Sequence, residues 1–431
     1  MRTHQLTAAT AAALFVVTAT GCSSSSSSGD EKDGPVTLTY AMWQQDQMPA
    51  FRKIFDEFTR QNPGIKVKIQ ITGFNQYFSK LQNEASTGSL PDVFWLNPYN
   101  FPLYASQGVI APVDERAQKA GFAFDAIPQT MRSMYTWKGK LYSLPNNRDA
   151  IVVFYNKQLF DHAKLPYPKP SWTWQDFRAT ARKLTRGKDG VHGTAVSLDQ
   201  GHVSVQTTVP EAGGTILSDD LRKNGFGTPE AKAGVRFWTD LVADGSSPNL
   251  SQLAETDMNS LFLSGKIGML YQGSWFANQY AASQLAKQGK IGIVTVPQGP
   301  RGNATPTSSL GNVMPAKARH PEASYKLIQF LGSKAAAEIY TRAGVGLTAY
   351  PETAKNYEDK FAKSFDLAPV DQAVQDGFPL PASLNSAVWT KLIVDDLTPA
   401  FQQKQDVDSA CDKLAGDMQK ALDQEKQLGR G

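Results

Sequence analysis

Residues 36 to 96 alternate between two apolar periodicities, and this alternation constrains the fold more than any other feature of the chain. Apolar residues recur at every second position over Val36–Met42 and again over Ile65–Ile71, which is typical of half-buried strands. Between these stretches, and again up to Gly88, apolar residues recur at helical spacing. A third apolar run at 93–96 indicates a central parallel strand. Strand, helix, strand, helix and strand within so short a segment predict βαβ units and a doubly wound sheet.

Polar and aromatic side chains follow two of these predicted strands. Trp43, Gln45 and Asp46 come after the first strand, and Asn97 and Tyr99 come after the third. Because open parallel sheets bind ligands beyond the carboxyl ends of their strands, we expect these side chains to share one edge. Amides and flat aromatic rings suit a polar, uncharged ligand with apolar faces, and a sugar fits this description. For Trp43 or Tyr99 taken singly, packing is the better explanation; their joint placement at strand ends makes ligand contact an equally good one.

The N-terminus has the organisation of an export signal. Arg2 precedes an apolar stretch at 8–17 that is too short to span a bilayer, and small residues lead directly to Cys22. This arrangement resembles a bacterial lipoprotein signal, although Ala19 stands where that signal usually has leucine. The alternative is an ordinary secreted protein with a stray cysteine. We predict a signal peptide at 1–21, and a lipidated Cys22 that opens a flexible serine-rich tether at 22–35.

Composition narrows the class of protein. Removing the predicted signal peptide leaves 410 of the 431 residues, which is too many for one core and typical of two or three domains. The 44 basic and 40 acidic residues nearly balance, so no nucleic-acid partner is expected. The remaining cysteine, Cys411, lies in an amphipathic pattern, which predicts a buried, inert thiol and no intrachain disulfide. No later apolar run could span a bilayer, so we expect membrane contact only through the lipid anchor.

The sequence offers no catalytic constellation. A glycoside hydrolase needs two carboxylates facing each other across the scissile bond. The pairs Asp219-Asp220 and Asp395-Asp396 are adjacent in the chain, so their side chains point apart and we expect both pairs on solvated faces. Gly-x-Ser-x-Gly is absent, and the five histidines lack zinc-binding spacing. His202 could touch a ligand, but a surface loop is the favoured prediction. We therefore predict no catalytic residue, no metal site and no cofactor.

A series of local patterns resembles the extracellular solute-binding proteins of bacterial ABC importers, specifically the carbohydrate-binding branch of family 1. No single pattern is specific, but their order and spacing carry the resemblance over nearly the whole chain beyond the tether. In one of them Thr173 can cap a helix and Asp176 can return the capping bond. The patterns lie at residues 58–67, 89–94, 108–114, 139–145, 154–160, 172–177, 261–269, 273–275, 296–300 and 321–324.

The resemblance implies an α/β, two-lobed fold of the periplasmic-binding-protein type (type II). Each lobe would be a doubly wound sheet flanked by helices, with the ligand cleft between the lobes. The residues themselves favour an extended crossing segment that runs from Tyr142 through Asp149 to Phe154, and a second at 291–297. They also favour helices from Ser386 onward that pack on the second lobe. The predicted lobes comprise residues 36–147 plus 298–350, and residues 148–297 plus 351–431.

The same resemblance implies ligand-binding residues. Asp149 matches the family's crossover carboxylate, which accepts two sugar hydroxyls, and Asn147 lies two residues before it. Trp275 lies at the spacing of the sugar-stacking tryptophan. Asn97 stands where many relatives have an acidic residue. Trp43 and Asn97 would belong to one lobe, Trp275 to the other, and Asp149 to the hinge.

Two further segments complete the implied site. Gly311 and Asn312 match a glycine-bearing strand on which the missing side chain would let a ligand approach the backbone. Leu380, between two prolines, departs from the pattern because several disaccharide-binding relatives have arginine there. Leucine cannot make the bidentate hydrogen bonds of arginine, so the ligand set differs from the usual disaccharide one.

Together these features predict a receptor and not an enzyme. The expected protein is a monomer, tethered to the outer face of the cell membrane, that binds a sugar by hinge closure and passes it to ABC permease subunits. An oligosaccharide is the favoured cargo. The alternatives are the same fold with a non-sugar solute such as glycerol phosphate, a surface adhesin, and an exported glycoside hydrolase.

Overall fold

The computed structural model describes residues 35–198 and 201–428. The predicted signal peptide, Cys22 and all of the predicted tether except Pro35 lie outside the described residues. Within them, no helix combines the length and the apolar character needed to cross a membrane.

The five elements predicted at 36–96 are all present. They are β1 (Val36–Met42), α1 (Met48–Gln61), β2 (Ile65–Ile71), α2 (Phe74–Thr87) and β3 (Val93–Leu96). α1 buries the apolar face that the spacing predicts, including Phe51, Ile54 and Phe58. α2 ends at Gly88, whose φ of 69° is the left-handed conformation in which glycine is favoured.

The remaining helices and strands alternate along the rest of the chain. Between residues 97 and 200 they are α3 (Phe101–Ser106), α4 (Asp114–Lys119), α5 (Gln129–Ser133), β4 (Thr136–Trp137), β5 (Lys140–Leu141), β6 (Asn147–Asn156), α6 (Lys157–Ala163), α7 (Trp174–Leu184) and β7 (His192–Thr194). Between residues 201 and 313 they are α8 (Val205–Glu211), α9 (Pro229–Ala243), α10 (Leu250–Glu255), α11 (Met258–Leu263), β8 (Ile267–Gly273), α12 (Ala277–Ala281), α13 (Gln284–Lys287), β9 (Ile291–Val294), β10 (Pro306–Ser308) and β11 (Gly311–Val313). The last are α14 (Pro321–Leu331), α15 (Lys334–Arg342), β12 (Leu347–Thr348), α16 (Ala354–Phe361), α17 (Ala368–Asp376), β13 (Phe378–Pro379), α18 (Ser386–Phe401) and α19 (Val407–Leu428).

Two mixed sheets organise the molecule. The first has the order β11-β3-β1-β2, in which β1 is parallel to β2 and β3, and β11 is antiparallel to β3. The second has the order β13-β10-β6-β8-β7, with β9 and β12 also pairing with β6. β6 is antiparallel to β8, β9, β10 and β12, so most strands of the second sheet pair with this one long strand.

Two separate hydrophobic clusters lie on these sheets. One is built from buried residues between Leu38 and Leu144 and between Val313 and Ala349, and we call the part of the protein around it the first lobe. The other is built from residues between Ala150 and Val296 and between Leu347 and Leu422, and defines the second lobe. Full burial of one large apolar side chain stabilises the fold by about 1.5–3 kcal/mol. Each cluster contains many such side chains, so each lobe has a hydrophobic core of its own. The residue boundaries of the predicted lobes stay a prediction.

β6 forms the later part of the crossing segment predicted at 142–154, but the second crossing was predicted in the wrong place. Residues 291–294 form β9, which pairs with β6 at 153–156 inside the second lobe. The apolar side chains of β9 are buried in the second cluster, which explains why the segment does not leave it. The chain crosses later, where β10 pairs with β6 at Asp149 and Ala150.

The C-terminal helices pack on the second lobe, as predicted. α18 and α19 bury Trp389, Leu397 and Leu414 in the second cluster. Cys411 lies in the same cluster, and burial raises the pKa of its thiol to about 12, as expected of an inert cysteine. At the start of α7, Thr173 and Asp176 form the predicted capping box.

The expectation that both aspartate pairs lie on solvated faces is wrong for one residue. Asp219, Asp220 and Asp395 are exposed, but Asp396 is buried. Its carboxylate pairs with Lys413 of α19, because α18 packs against α19 on that side. Neighbouring positions on a helix face about 100° apart, so one member of the pair is exposed and the other lies inside.

Candidate functional site

Asp149 lies on β6 where the two lobes join, and the surrounding segments hold its carboxylate. Asn147 donates a hydrogen bond from Nδ2 to Asp149 Oδ2 at 2.6 Å, and Ser274 donates from Oγ to Oδ1 at 3.2 Å. Asn147 Oδ1 in turn accepts a hydrogen bond from the backbone N–H of Leu310 at 2.8 Å. The carboxylate is therefore fixed between both crossing segments and the end of β8.

Burial changes the acidity of this carboxyl. Desolvation raises the pKa of Asp149 to about 6, against the opposing effect of the hydrogen bonds from Ser274 and Asn147. The pKa of Tyr340 on α15 is raised by burial and, next, by the negative charge of Asp149. The two groups also bracket Gly346, at which an added Cβ would lie 3.6 Å from Asp149 Oδ1 and 3.7 Å from the Tyr340 hydroxyl. Tyr340 therefore lies beside Asp149 in the candidate site, and no local sequence pattern indicated this.

Trp275 directly follows Ser274, and the end of β8 positions its ring. A Cβ on Gly273 would lie 2.1 Å from the indole, so only glycine lets the ring fold back over the strand end. His202 packs against the indole with ring centroids 5.4 Å apart. This contact corrects the expectation that His202 lies in a surface loop, since the residue is half-buried beside a predicted site residue. Trp275 itself is half-buried, so part of its ring remains accessible for stacking.

Trp43 directly follows β1, and its ring packs against several other aromatic rings. Its ring meets Tyr77 and Trp95 edge to face, with centroids 5.0 and 4.9 Å apart. It also contacts the half-exposed Phe74 at 5.6 Å. Most of the contacts of the Trp43 side chain are therefore packing contacts within the first lobe.

Gln45 and Asp46 lie in a short 3-10 turn after β1, and both are exposed. Asp46 Oδ1 accepts a hydrogen bond from Gln44 Nε2 at 3.1 Å. Desolvation by neighbouring groups raises the pKa of Asp46, and hydrogen bonds from its own backbone and from Asn278 oppose that rise. Because Asn278 lies on α12 of the second lobe, the loop after β1 faces that lobe.

The loop after β3 contains two predicted site residues with different surroundings. Asn97 Oδ1 accepts hydrogen bonds from the backbone N–H and the Nδ2 of Asn100, at 3.0 and 2.9 Å, so its side chain closes the local turn. Tyr99 instead reaches the second lobe, where its hydroxyl donates to Gln206 Oε1 at 2.5 Å. Its ring lies edge to face against Trp389 at 5.8 Å. Burial raises the pKa of the Tyr99 hydroxyl well above its usual range.

Packing against Tyr135 explains the glycine at position 311. A Cβ at this position would lie 2.3 Å from the ring of Tyr135, so packing of that ring is sufficient to require glycine here. The Tyr135 hydroxyl, with one hydrogen to donate, lies 2.8 Å from the carbonyl oxygen of Leu96 and 2.7 Å from that of Ser309. Close approach of a ligand at Gly311 stays a prediction.

Asn312 is buried next to this position. Its Oδ1 accepts a hydrogen bond from the hydroxyl of Tyr40 at 2.6 Å. Together with Asn147 and Tyr340 it lines a cavity of about 30 Å³, which has room for water but not for a sugar ring. Asn147, Asp149 and Asn312 are thus brought to the lobe junction, and the cavity that Asn147 and Asn312 line is too small for a sugar ring.

A much larger space, which we call the interlobe cavity, has a volume of about 860 Å³. The first lobe contributes Pro98, Phe101 and Trp137 to its walls, and the second lobe contributes residues 217–222 and 379–384. Among the described residues that line it, none belongs to the site predicted from the sequence. It does include Leu380, the position at which the sequence departs from its family's pattern.

Four residues of the site escaped the sequence analysis. Ser274 could have been found from its place beside Trp275, whereas Tyr340, Gln206 and Asn278 lie on helices with no local signal.

Within residues 35–198 and 201–428, no group of three His, Cys, Asp or Glu side chains is arranged to hold a metal ion. The arrangement can therefore accept and donate hydrogen bonds and offer an aromatic face to a neutral ligand.

Comparisons with known proteins show the family and the fold. A family model described as "Bacterial extracellular solute-binding protein" matches residues 43–338. A binding protein of Brucella abortus (strain 2308) is 26% identical over 346 residues, which span 78% of this chain and 80% of that protein. Among solved structures, an ABC substrate-binding protein of Listeria monocytogenes in complex with cycloalternan has a TM-score of 0.84 at 26% identity. It covers 90% of this chain and 99% of its own.

A more distant structure shows the same architecture. The maltose-bound protein of T. maritima has a TM-score of 0.76 at 20% identity, and the match covers 90% of this chain and 99% of that one. These likenesses confirm the predicted α/β fold of periplasmic binding proteins, with mixed sheets flanked by helices.

Proposed function

The chain belongs to the bacterial extracellular solute-binding protein family, and on that premise we propose that it is the sugar receptor of an ABC importer. Members of this family are non-enzymatic receptors. In our proposal the protein binds an oligosaccharide between its two lobes and delivers it unchanged to the permease subunits.

One observation carries the proposal. The buried carboxylate of Asp149 is hydrogen-bonded by Ser274, and the next residue in the chain is the half-buried Trp275. A carboxylate accepts hydrogen bonds from sugar hydroxyls, and an indole face covers the C–H face of a pyranose ring. Both kinds of group therefore meet at the lobe junction, and together they match the two faces of a sugar better than either would alone.

The chemistry of the site disfavours an anionic cargo such as glycerol phosphate. The predicted ligand-binding residues include two carboxyls, Asp46 and Asp149, and no lysine or arginine. Phosphate sites use basic side chains or helix N-termini to balance charge. The structures of the relatives named above contain cycloalternan and maltose, which are neutral oligosaccharides.

Delivery would follow from movement of the lobes about the crossing strands. β6 and β10 connect the lobes at Asp149, and Asp46 and Tyr99 of the first lobe face Asn278 and Gln206 of the second. A ligand that contacts both lobes favours the form in which they are closed. The closed surface would then be recognised by the permease, with Cys22 holding the receptor at the membrane by its lipid.

The proposal is tested by a thermal-shift screen of the purified protein without its signal peptide. The panel contains monosaccharides, neutral oligosaccharides of several linkages, mannitol and glycerol 3-phosphate. Binding to the folded state raises the unfolding temperature by mass action, so we expect a saturable rise with one or more neutral sugars. A rise with glycerol 3-phosphate alone, or with no member of the panel, would contradict the proposal.

A further inference from the structure

The side chain of Asn259 joins two separate elements of the second lobe. Asn259 lies in the first turn of α11, and its Oδ1 accepts a hydrogen bond from Gln272 Nε2 at 2.8 Å. The same oxygen accepts a hydrogen bond from the hydroxyl of Tyr280 at 2.5 Å. Gln272 belongs to β8 and Tyr280 belongs to α12. One amide oxygen on α11 therefore holds both the end of β8 and the helix that follows it.

The segment between β8 and α12 carries side chains on which the proposed sugar site depends. It is a single 3-10 turn, Ser274–Phe276. Ser274 donates a hydrogen bond to Asp149 Oδ1 at 3.2 Å, and Trp275 supplies the indole face. Asn278, in the first turn of α12, faces the loop after β1. Because the amide oxygen on α11 accepts hydrogen bonds from both sides of this turn, it fixes both of its ends.

Both groups that donate to Asn259 are buried. Gln272 is fully buried, and its Oε1 accepts a hydrogen bond from the backbone N–H of Gly273 at 2.8 Å. Tyr280 is also fully buried, and its ring packs edge to face against Phe154 with centroids 4.8 Å apart. A buried donor that loses its acceptor is costly, because it has no water to bond with instead. Loss of the Asn259 oxygen would therefore favour movement of the segments on which the two donors lie.

The start of α11 is itself held in place, so the oxygen of Asn259 has a fixed position. Asp257 Oδ1 accepts hydrogen bonds from the backbone N–H groups of Asn259 and Ser260, at 3.0 and 3.1 Å. These bonds cap the helix. Met258 and Phe262 of α11 are buried in the second hydrophobic cluster. The helix is thus fixed by its cap and by its core contacts, independently of the turn that it holds.

We propose that Asn259 is a positioning residue of the sugar site, which acts on the sugar through Ser274 and Trp275. Its oxygen keeps the turn where Ser274 reaches Asp149 and the indole faces the ligand. A binding site works only while its side chains are held within about 0.5 Å of the productive arrangement, so a small shift of this turn lowers affinity. The inference rests on the proposed function and deepens it, because it adds α11 to the elements that determine sugar binding.

Four variants test this role. Asn259→Leu removes the acceptor at similar volume, whereas Asn259→Asp keeps a side-chain oxygen that can accept both hydrogen bonds. Tyr280→Phe removes one donor and keeps the ring, and it takes the place of Asn259→Leu if that variant folds poorly. Asn224→Leu is the matched control. Asn224 is another half-buried asparagine of the second lobe, and its Nδ2 donates to the carbonyl of Ala415 on α19 at 2.9 Å.

The first measurement is the acidity of Asp149 in the protein without sugar. NMR titration of protein labelled with ¹³C at the aspartate Cγ gives the midpoint, and Asp149→Asn assigns the signal. Burial raises the pKa of Asp149 to about 6, and the hydrogen bond from Ser274 opposes that rise. Asn259→Leu should therefore move the midpoint up, by about one pH unit for a lost hydrogen bond to the carboxylate. Tyr280→Phe should move it in the same direction, and Asn224→Leu should leave it unchanged.

The other titratable groups whose acidity responds to Asp149 do not interfere with this measurement. Burial, and next the charge of Asp149, raises the pKa of Tyr340 on α15 and of Tyr357 on α16. Neither hydroxyl is therefore charged in the range in which Asp149 titrates.

The second measurement is sugar affinity, by calorimetric titration with maltose, maltotetraose, cellobiose and cycloalternan. For each sugar that the wild type binds, Asn259→Leu should weaken binding on the order of tenfold, the size of the contribution of one stacked ring. Asn259→Asp should restore affinity to near the wild-type value, because it restores the acceptor. Asn224→Leu should bind as the wild type does.

An unchanged Asp149 midpoint or an unchanged affinity in Asn259→Leu overturns the inference while the proposed function stands. A loss of affinity that Asn259→Asp fails to restore, or that Asn224→Leu shares, also overturns it. A wild type that binds none of these sugars counts against the proposed function, and the Asp149 midpoint alone then decides the inference.

Discussion

The hydroxyl of Tyr99 donates a hydrogen bond to Gln206 Oε1 across 2.5 Å, and this bond joins the two lobes. Tyr99 follows β3 of the first lobe, and Gln206 lies on α8 of the second. Gln206 is 4% exposed and Tyr99 is half-buried, and burial raises the pKa of the tyrosine hydroxyl. The contact is therefore a direct link between the lobes that does not depend on a ligand.

Tyr99→Phe should shift the ligand-free protein toward a more open arrangement. The change removes one hydrogen bond and leaves a buried oxygen of Gln206 unpaired, at a cost of about 1–3 kcal/mol to the state in which the lobes touch. The distance between spin labels on α4 and α10, one on each lobe, reports the arrangement. The control is Tyr167→Phe, whose hydroxyl bonds to Asp161 within the second lobe at 2.6 Å. Identical distance distributions in Tyr99→Phe and wild type would contradict the account.

Sugar affinity should depend on pH through Asp149. Its pKa is raised to about 6 by burial, so the carboxyl is ionised above that pH and becomes protonated below it. The carboxylate is the stronger acceptor for sugar hydroxyls, and affinity should therefore fall as the pH falls, by roughly tenfold between pH 7.5 and pH 5. Calorimetry at several pH values measures this. Asp149→Asn should bind weakly at every pH, and a wild-type affinity that is constant over this range would argue against Asp149 as the acceptor.

Trp275→Ala should lower affinity with little loss of stability. The ring is half-buried and partly accessible, so its removal should cost about 1–3 kcal/mol of binding free energy. Trp43→Ala provides the contrast, because that ring packs edge to face with Tyr77 and Trp95 and its loss should mainly lower the free energy of unfolding. Calorimetric titration and urea denaturation of both variants separate the two effects. Unchanged affinity in Trp275→Ala would place the sugar elsewhere.

The first strands and helices could be predicted because their signals are local. The apolar alternation of β1 and β2 and the helical spacing of α1 each lie within one continuous segment, and so does the Thr173–Asp176 capping box. β10 could not be found this way. It has three residues with no apolar alternation, and its extended form depends on pairing with β6, far away in the sequence.

The site was partly predictable for the same reason. Asp149 and Trp275 were predicted from patterns that resemble the family's, and in the structure Ser274, the residue before Trp275, donates a hydrogen bond to Asp149. The link from Tyr99 to Gln206 and the approach of Tyr340 to Asp149 exist only in the folded chain. Gly311 shows a limit of such patterns, because contact with the Tyr135 ring is by itself a sufficient reason for glycine at a position that the pattern assigns to ligand approach.

Cys22→Ser should release the protein from the cell surface. If Cys22 carries the lipid, its loss removes the anchor and leaves only the exported chain, because we expect no other membrane contact. Fractionation of cells expressing the variant and the wild type, with immunoblotting of the membrane and medium, measures the release. The matched control is Cys411→Ser, a change at a buried thiol of the second lobe that should leave the protein on the membrane. A Cys22→Ser protein that stays with the membrane would reveal a second anchor.

Small-angle X-ray scattering across a sugar titration tests the central claim most directly, with the sugar recovered and analysed at the end. The sugar is the one that gives the largest rise in unfolding temperature. The account predicts a saturable decrease in the radius of gyration, as the lobes close on a ligand that both contact, and recovery of the sugar intact. A radius that stays constant at saturating sugar, or recovery of cleaved sugar, would contradict the account of a receptor that closes on its cargo and delivers it unchanged.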